Sequence, residues 1–220
     1  MKNVGIILAA GRGKRMHSVV QKQYLLLQGK PVLYYSLKAF QECPFIDEII
    51  LVTGEEEISY CQEEIVRKFK LDKVKQIVPG GKERYHSVYE GLKAAGDCHL
   101  VFIHDGARPF VDQGILERTK EAAETYQACV AGMPVKDTIK LSDGHGTAVE
   151  TPRRDLLWMI QTPQVFDCAL IREAYRKLME SDGTLAVTDD AMVLESIEGK
   201  KVRLVEGSYR NIKITTPEDL

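Results

Sequence analysis

The sequence lacks any marked excess of one charge. Lys and Arg together number 30 against 32 Asp and Glu in 220 residues, which gives a formal net charge of −2. A chain this balanced has no overall electrostatic attraction for nucleic acid or for an anionic membrane surface. We therefore expect no nucleic-acid partner and no membrane partner, and any anionic ligand has to be bound by a local group of cations.

Cysteine is scarce and poorly spaced for metal binding or cross-linking. The five cysteines are Cys43, Cys61, Cys98, Cys129 and Cys168. They are odd in number, lie far apart and never form a C-x-x-C pair, which argues against a zinc site and against a disulfide framework. The sequence therefore predicts a reducing, cytoplasmic setting.

Long apolar runs, internal repeats and Pro/Ser-rich linkers are also absent. The apolar stretch at residues 4–10 is too brief for a signal sequence with a cleavage site, and far too brief to span a bilayer. We expect a soluble protein. Because no linker or repeat divides the chain, the sequence predicts one domain over residues 1–220, with a β-hairpin arm inserted at about residues 134–160.

The sequence does contain a regular alternation of short apolar runs and longer amphipathic stretches. The runs predict strands at residues 4–8, 49–52, 74–78, 99–103, 128–133, 201–205 and 211–215. The amphipathic stretches predict helices at residues 31–40, 55–69, 84–95, 112–126, 167–180 and 188–197. The apolar runs are typical of strands buried on both faces. Strands that alternate with helices indicate an α/β fold, a mainly parallel sheet flanked by helices.

A loop with two glycines, Gly11 and Gly13, follows the first predicted strand. Glycine lets backbone N–H groups approach a phosphate closely. A dinucleotide fingerprint would need a third glycine where Met16 stands, and a Walker A loop would need Ser or Thr after Lys14, where Arg15 stands. Both patterns are therefore excluded, and a short glycine loop by itself is more often an ordinary solvated turn.

Four cations follow the first strand in this otherwise slightly acidic chain: Arg12, Lys14, Arg15 and Lys22. Such a concentration of positive charge suits a triphosphate. The choice between a triphosphate site and a solvated basic turn depends on features elsewhere in the sequence.

Two further features follow predicted strands. His104 and Asp105 follow the strand at residues 99–103, and the carboxyl ends of strands are where open α/β sheets bind ligands. Mg²⁺ commonly binds through one or two carboxylates plus substrate phosphates, although an Asp that merely caps the next turn fits the bare sequence equally well. The turn at Gly80 and Gly81, with Ser87 one helical turn further on, suits either a base-recognition loop or an ordinary connection.

Seven motifs together resemble a known family. They are L-A-A-G-x-G-x-R-M, K-Q-Y, G-G-x-x-R-x-x-S, H-D-G-A-R-P, P-V-K-D-T, T-P-Q-x-F and N-I-K-I-T-x-P-E-D-L, in one order from Leu8 to Leu220. Each string is weak alone, but all seven in register are specific. The chain resembles the 2-C-methyl-D-erythritol 4-phosphate cytidylyltransferases of the non-mevalonate isoprenoid pathway.

The resemblance implies a fold, a reaction and an assembly. The fold would be the Rossmann-like nucleotidyltransferase fold, with the β-hairpin arm forming a homodimer. The enzyme would transfer CMP from CTP to 2-C-methyl-D-erythritol 4-phosphate, giving 4-diphosphocytidyl-2-C-methyl-D-erythritol and pyrophosphate, with Mg²⁺ as cofactor. The alternatives are a cytidylyltransferase for another polyol phosphate, such as ribitol 5-phosphate, and a non-catalytic nucleotide-sensing protein on the same fold.

The resemblance also implies site residues, position by position. The catalytic group would be Arg15, Lys22, Arg154 and Lys213. The nucleotide would be bound by Ala9, Ala10, Gly11, Gly13, Lys14, Gly81, Lys82, Ser87 and Asp105, with Asp105 also holding the metal. The acceptor would be bound by Asp105, Ala107, Arg108, Thr138 and Arg154, of which the arm residues reach the neighbouring subunit's site.

The chain departs from the family pattern in three places. Arg210 stands where some members carry Asp, so we assign it no role. Gln21 replaces the Pro that many members have before K-Q-Y, which predicts a different local path for that loop. Members continue into a further helix beyond P-E-D-L, so we expect this chain to end early. The implied chemistry needs no histidine base, and we expect the five histidines to be surface or packing residues.

Overall fold

The computed structural model describes residues 1–11, 20–181 and 186–219. Three predicted site residues, Gly13, Lys14 and Arg15, lie outside the described residues. The strands are β1 (Val4–Ala9), β2 (Leu26–Leu27), β3 (Lys30–Pro31), β4 (Glu48–Thr53), β5 (Val74–Pro79), β6 (Leu100–Asp105), β7 (Ala128–Pro134), β8 (Leu141–Ser142), β9 (Ala148–Glu150), β10 (Trp158–Asp167) and β11 (Arg203–Glu206). The α-helices are α1 (Val32–Glu42), α2 (Ile58–Tyr60), α3 (Arg84–Ala95), α4 (Gln113–Tyr126), α5 (Cys168–Glu180) and α6 (Asp190–Glu198).

Seven strands form one mixed sheet in the order β11-β7-β10-β6-β1-β4-β5. Strand β1 pairs in parallel with β4 and β6, β4 with β5, and β11 with β7. Strand β10 is antiparallel to both of its neighbours, β6 and β7. The prediction of a mainly parallel α/β sheet flanked by helices is confirmed, with β10 as the antiparallel member.

The core lies on both faces of this sheet because adjacent strand residues point to opposite sides. Ile7 of β1 packs in the cluster that includes Phe40 of α1 and Leu116 of α4. Its neighbour Ile6 packs in the other cluster, with residues of α3, α5 and α6 such as Tyr175. Helices on both faces explain why the central strands are continuous apolar runs.

Two predicted elements differ from the structure, and one strand of the main sheet was missed. The helix predicted at residues 55–69 is a 3₁₀ turn (Glu55–Glu57), the short α2 and a π-helix (Cys61–Arg67). The strand predicted at residues 211–215 is wrong, since that segment pairs with no strand of the sheet; its N–H groups bond mostly to nearby turn residues, and the Ile214 N–H donates to the Ala107 carbonyl at 2.9 Å. Strand β10 was missed because its register shifts between Ile160 and Gln164, which breaks the alternation that marks a strand.

One disulfide contradicts the expectation from cysteine spacing. Cys98 and Cys168 are bonded, with their Cα atoms 5.7 Å apart and a separation of 70 positions in the sequence. Antiparallel pairing places the end of β10 beside the start of β6, and the Cys168 N–H donates to the His99 carbonyl at 3.0 Å. Sequence spacing does not reveal a pair that only the sheet topology creates.

A small antiparallel hairpin of β8 and β9 lies outside the main sheet, within the predicted arm. Its turn is organised by Asp143, whose carboxylate accepts from the N–H groups of His145 and Thr147 at 2.7 and 3.1 Å. Leu141 and Val149 are exposed on it. Within the described ranges, none of the helices has the length and apolar character that a membrane crossing would require.

Candidate active site

A cavity of about 690 Å³ opens where β1 and β6 end. It is lined by Leu8, Ala9, Ala10, Gly11, Lys22, Gln23, Gly81, Lys82, Glu83, Arg84, Ser87, Asp105, Ala107 and Lys213. The carboxyl ends of parallel strands are the usual ligand site of open α/β sheets. Ten of these residues are among those predicted from the sequence, so the structure brings together segments that lie as far apart in the chain as Ala9 and Lys213.

Asp105, the last residue of β6, is surrounded by cations. The Lys213 ammonium lies 2.8 Å from Oδ2, Nε of Arg84 lies 3.4 Å from Oδ1, and Nε of Arg108 lies 3.8 Å from Oδ2. Burial alone would raise the pKa of Asp105, but Arg84, Lys213 and Arg108 outweigh it and hold the pKa well below its ordinary value. The carboxyl group is therefore ionised at any pH near neutrality.

The loop after β5 packs tightly against the loop after β1, which begins at Ala10. The Gly81 N–H donates to Oγ of Ser87 at 3.1 Å, and that hydroxyl donates to the Glu83 carbonyl at 3.3 Å. A Cβ at Gly80 would collide with Ala10 and with the Ser87 hydroxyl. Glycine is thus required there because two loops approach each other too closely for any side chain.

Gln23 fastens the K-Q-Y segment to the loop after β1. Its amide Nε2 donates to the carbonyl oxygens of Ala9 and Gly11, at 2.6 and 3.1 Å, and the side chain is almost fully buried. Lys22, the preceding residue, points its ammonium to the Ile214 carbonyl at 2.9 Å. Sequence reasoning assigned no role to Gln23, although its place in a matched motif was a usable signal.

Arg84 was also missed, although it is the Arg of the G-G-x-x-R-x-x-S motif. It is the first residue of α3, so the helix start sets its side chain at the cavity wall. Its guanidinium lies between Asp105 and the buried Asp190, to which it donates two hydrogen bonds of 2.8 Å. A charged residue at a helix start beside a glycine turn was the available signal.

The segment that carries Lys213 is held by backbone and side-chain contacts. An Arg108 guanidinium nitrogen donates to the Asn211 carbonyl at 2.8 Å, and the Asn211 amide donates to the Thr162 carbonyl at 2.8 Å. Asn211 is fully buried. These contacts fix the chain two residues before Lys213, and they place Arg108 behind Asp105 rather than on the cavity wall.

His104 is fully buried beside Asp105 but does not line the cavity. Its Nδ1 is 2.9 Å from the Thr162 hydroxyl and its Nε2 is 3.2 Å from the Arg108 carbonyl. Burial lowers the pKa of His104 to about 4, against a smaller opposite effect of Asp105. The ring is therefore neutral near pH 7, which agrees with the expectation that it is a packing residue.

Two predicted acceptor residues, Thr138 and Arg154, lie on the exposed arm and not around this cavity. Arg154 donates to the Lys136 carbonyl at 2.8 Å, whereas the adjacent Arg153 forms an ion pair with Asp155. Within one chain, the arm residues and Asp105 therefore belong to separate surfaces.

No group of three or more His, Cys, Asp or Glu side chains arranged for a metal occurs in the part of the chain that the structure describes. Mg²⁺ commonly binds through one or two carboxylates together with substrate phosphates. The ionised carboxylate of Asp105 lies at the cavity wall beside Lys213 and is a suitable oxygen donor for such a cation.

The sheet and its cation-lined cavity define an α/β nucleotidyltransferase. A family model described as 2-C-methyl-D-erythritol 4-phosphate cytidylyltransferase matches residues 4–220. The chain therefore belongs to the 2-C-methyl-D-erythritol 4-phosphate cytidylyltransferase family.

Individual relatives agree with this membership. The protein of that name from Lachnospira eligens is 52% identical over 218 residues, which cover 99% of this chain and 96% of the relative. Its counterpart from Caldanaerobacter subterraneus is 53% identical over 216 residues, covering 98% and 94%. The crystal structure of 4-diphosphocytidyl-2C-methyl-D-erythritol synthase from Anaerococcus prevotii superposes with a TM-score of 0.85 at 36% identity, covering 99% of this chain and 92% of that one.

Proposed function

We propose that the cavity at the ends of β1 and β6 binds CTP and that CMP transfer takes place there. As a member of its family, the chain transfers CMP from CTP to 2-C-methyl-D-erythritol 4-phosphate, with release of pyrophosphate. The observation that carries the assignment to this cavity is the grouping of Lys22, Asp105 and Lys213 around one opening, since these residues come from three distant segments.

The proposed nucleotide site is the cavity wall made by the loop after β1 and the loop after β5. Ala9, Ala10 and Gly11 would bind the ribose and phosphates, and Gly81, Lys82 and Ser87 would face the cytosine edge. Lys22 and Lys213 would stabilise negative charge on the α-phosphate. Gly13, Lys14 and Arg15 follow Gly11 in the sequence and are proposed as nucleotide-site residues on the family resemblance alone.

The reaction would be an in-line attack by an acceptor phosphate oxygen on the α-phosphorus of CTP, breaking the bond to the pyrophosphate oxygen. The attacking phosphate is already ionised at neutral pH, so no protein base is needed. Catalysis would come from positioning and from cations aimed at the charge that develops on the α-phosphate. The neutral, buried state of His104 is consistent with a reaction that needs no protein base.

We propose Mg²⁺ as the cofactor, with Asp105 as its protein ligand. When bound, the cation would neutralise charge on the triphosphate and on the leaving pyrophosphate. Asp105 suits this role because its three cationic neighbours keep it ionised. Those neighbours also hold the carboxylate in one place, so that Asp105 can meet the ribose or the metal without reorganisation.

A homodimer is proposed on the arm. Thr138 and Arg154 lie away from the cavity of their own chain, and the arm exposes apolar side chains such as Leu141, Val149 and Leu156. Arm residues that reach the neighbour's cavity would complete the acceptor site with Ala107, while Arg108, which lies behind Asp105, would contribute through that carboxylate. A cytoplasmic location stays a prediction from the sequence.

An acceptor panel tests this function. The full chain is incubated with CTP and Mg²⁺ and with either 2-C-methyl-D-erythritol 4-phosphate or ribitol 5-phosphate, and pyrophosphate release is measured. Release with the first acceptor only is the expected result. Release with ribitol 5-phosphate instead would transfer the assignment to that acceptor, and CTP binding without release from either would indicate a nucleotide sensor.

A further inference from the structure

Asp190 is a fully buried carboxylate close to the cavity that does not line it. It is the first residue of α6, and the N-terminal end of that helix is held by Gln164 of β10. The side-chain oxygen of Gln164 accepts from the N–H groups of Asp190 and Ala191, both at 3.0 Å, and the Gln164 amide donates to Asp189 at 3.0 Å. The position of the Asp190 carboxylate is therefore set by the central sheet.

The carboxylate of Asp190 is directed at Arg84. Two guanidinium nitrogens of Arg84 donate to its two oxygens, each at 2.8 Å, which is the bidentate geometry. The Tyr175 hydroxyl donates to Oδ1 at 2.5 Å. The remaining Arg84 nitrogen, Nε, faces Asp105 at 3.4 Å. One planar guanidinium thus joins a buried acid on one side to the acid of the proposed active site on the other.

The charges of Arg84 and Asp190 indicate what their buried ion pair does for the protein. The positively charged guanidinium of Arg84 lies between two carboxylates, the buried Asp190 and Asp105 at the cavity wall. A buried ion pair is a costly way to fill a core, because hydrophobic residues of similar volume often stabilise a protein more. Here one partner of the pair, Arg84, keeps part of its side chain exposed at the cavity wall. A role in holding that side chain accounts for the buried acid better than a contribution to stability.

We propose that Asp190 is a positioning residue of the active site, which fixes Arg84 and through it the carboxylate of Asp105. Its action depends on the bidentate bond, which sets both the place and the plane of the guanidinium. Without Asp190, Arg84 would keep Asp105 as its remaining carboxylate partner within the described part of the chain, and both side chains would be free to reorient. This inference rests on the proposed function, since it assumes that Asp105 meets the nucleotide or its metal.

A double-mutant cycle in the full chain tests the proposal. The native protein, Asp190→Asn, Arg84→Gln and the double variant are compared by kcat/KM for CTP at saturating acceptor. Asn keeps the shape of Asp190 but loses the charge. We expect Asp190→Asn to lower kcat/KM by about tenfold or more in the native background and by less than twofold in the Arg84→Gln background.

Tyr175→Phe is the matched control, because it removes one hydrogen bond to Asp190 and leaves both bonds from Arg84. It is expected to lower the melting temperature while kcat/KM stays within twofold of the native value. Should Asp190→Asn fail to fold, Arg84→Lys keeps the charge at a partly exposed position and removes the bidentate bond. A loss of tenfold or more in kcat/KM is expected for that variant.

Three results would overturn the proposal. The first is a native kcat/KM in folded Asp190→Asn, and the second is an equal loss from Asp190→Asn with and without Arg84. The third is a native kcat/KM in Arg84→Lys. Failure of the proposed function looks different, since the native chain itself would then release no pyrophosphate from CTP and the acceptor.

Discussion

The ammonium group of Lys22 donates a 2.9 Å hydrogen bond to the backbone carbonyl of Ile214, 192 residues further along the chain. The next residue towards the N-terminus from Ile214 is Lys213, whose ammonium lies 2.8 Å from Asp105. The first and last parts of the chain therefore meet beside the same carboxylate. This contact makes the cavity a product of the whole fold, and changes on either side of it should affect the same reaction.

Replacement of Lys22 by Ala should lower kcat by about 100-fold, because a donor aimed at developing charge typically contributes about 3 kcal/mol to the transition state. Steady-state rates of pyrophosphate release measure the effect. Lys38→Ala is a suitable control, since Lys38 forms only a surface pair with Glu42 among its described contacts. A kcat of the Lys22→Ala enzyme within threefold of the native value would show that Lys22 does not belong to the catalytic group. We expect a similar loss from Arg15→Ala on the family resemblance.

Arg154→Ala should raise the KM for the acceptor and leave CTP binding unchanged, because the proposed contact is with the acceptor phosphate in a neighbouring subunit. Arg153→Ala is the matched control: it removes the same charge one residue away, from a side chain paired with Asp155. Acceptor KM and CTP affinity are measured for both variants. Equal effects from the two variants, or an unchanged acceptor KM in Arg154→Ala, would exclude a specific role for Arg154.

Asp105→Asn should lower kcat/KM for CTP by about 100-fold and raise the Mg²⁺ concentration needed for half-maximal activity. The substitution removes the negative charge and leaves Lys213, Arg84 and Arg108 without their shared partner. A Mg²⁺ titration of the two enzymes measures this, with chelation of all divalent cations expected to stop the native reaction. Asp97→Asn, at an exposed surface pair, should behave as the native enzyme does. An unchanged Mg²⁺ requirement in Asp105→Asn would exclude that residue as the metal ligand.

Much of the fold could be predicted from the sequence because the central strands are buried on both faces. Residues such as Ile6 and Ile7 both face apolar helices, so the run has no polar gap and stands out. Strand β10 could not be predicted in this way, since its register shift interrupts the pattern. The Cys98–Cys168 bond was also beyond sequence reasoning, because antiparallel pairing of two distant strands creates it.

Site residues could be predicted where they belong to motifs that follow strands. Residues that hold another side chain or a loop in place were harder to predict. Asp105 ends a buried strand, a position that suited ligand binding and turn capping equally, and the H-D-G-A-R-P motif decided in favour of ligand binding. Gln23 and Asp190 act by bonding to backbone or to Arg84, and nothing in their local sequence indicates those partners. The motifs therefore located the cavity, while the contacts that hold its walls in place had to come from the structure.

The buried imidazole of His104 should make the protein less stable as the pH falls from about 6.5 towards 4. Burial lowers the folded-state pKa from 6.5 to about 4, so in this window the unfolded chain binds a proton that the folded chain does not. The free energy of unfolding should then fall by about 2 kcal/mol between pH 7 and pH 4.5 through this residue.

Urea unfolding at the two pH values, with the native chain and with His104→Gln, isolates that contribution. The variant loses the titrating ring, so its stability should fall less over the same interval, even if it is less stable at pH 7. Titration of Asp105 does not produce the same pH dependence. Its folded-state pKa lies well below the ordinary value, so its contribution to stability is lost mainly at pH values below those at which carboxyl groups usually titrate. An equal pH dependence in the two proteins would show that His104 is already protonated, or accessible to protons, in the folded state.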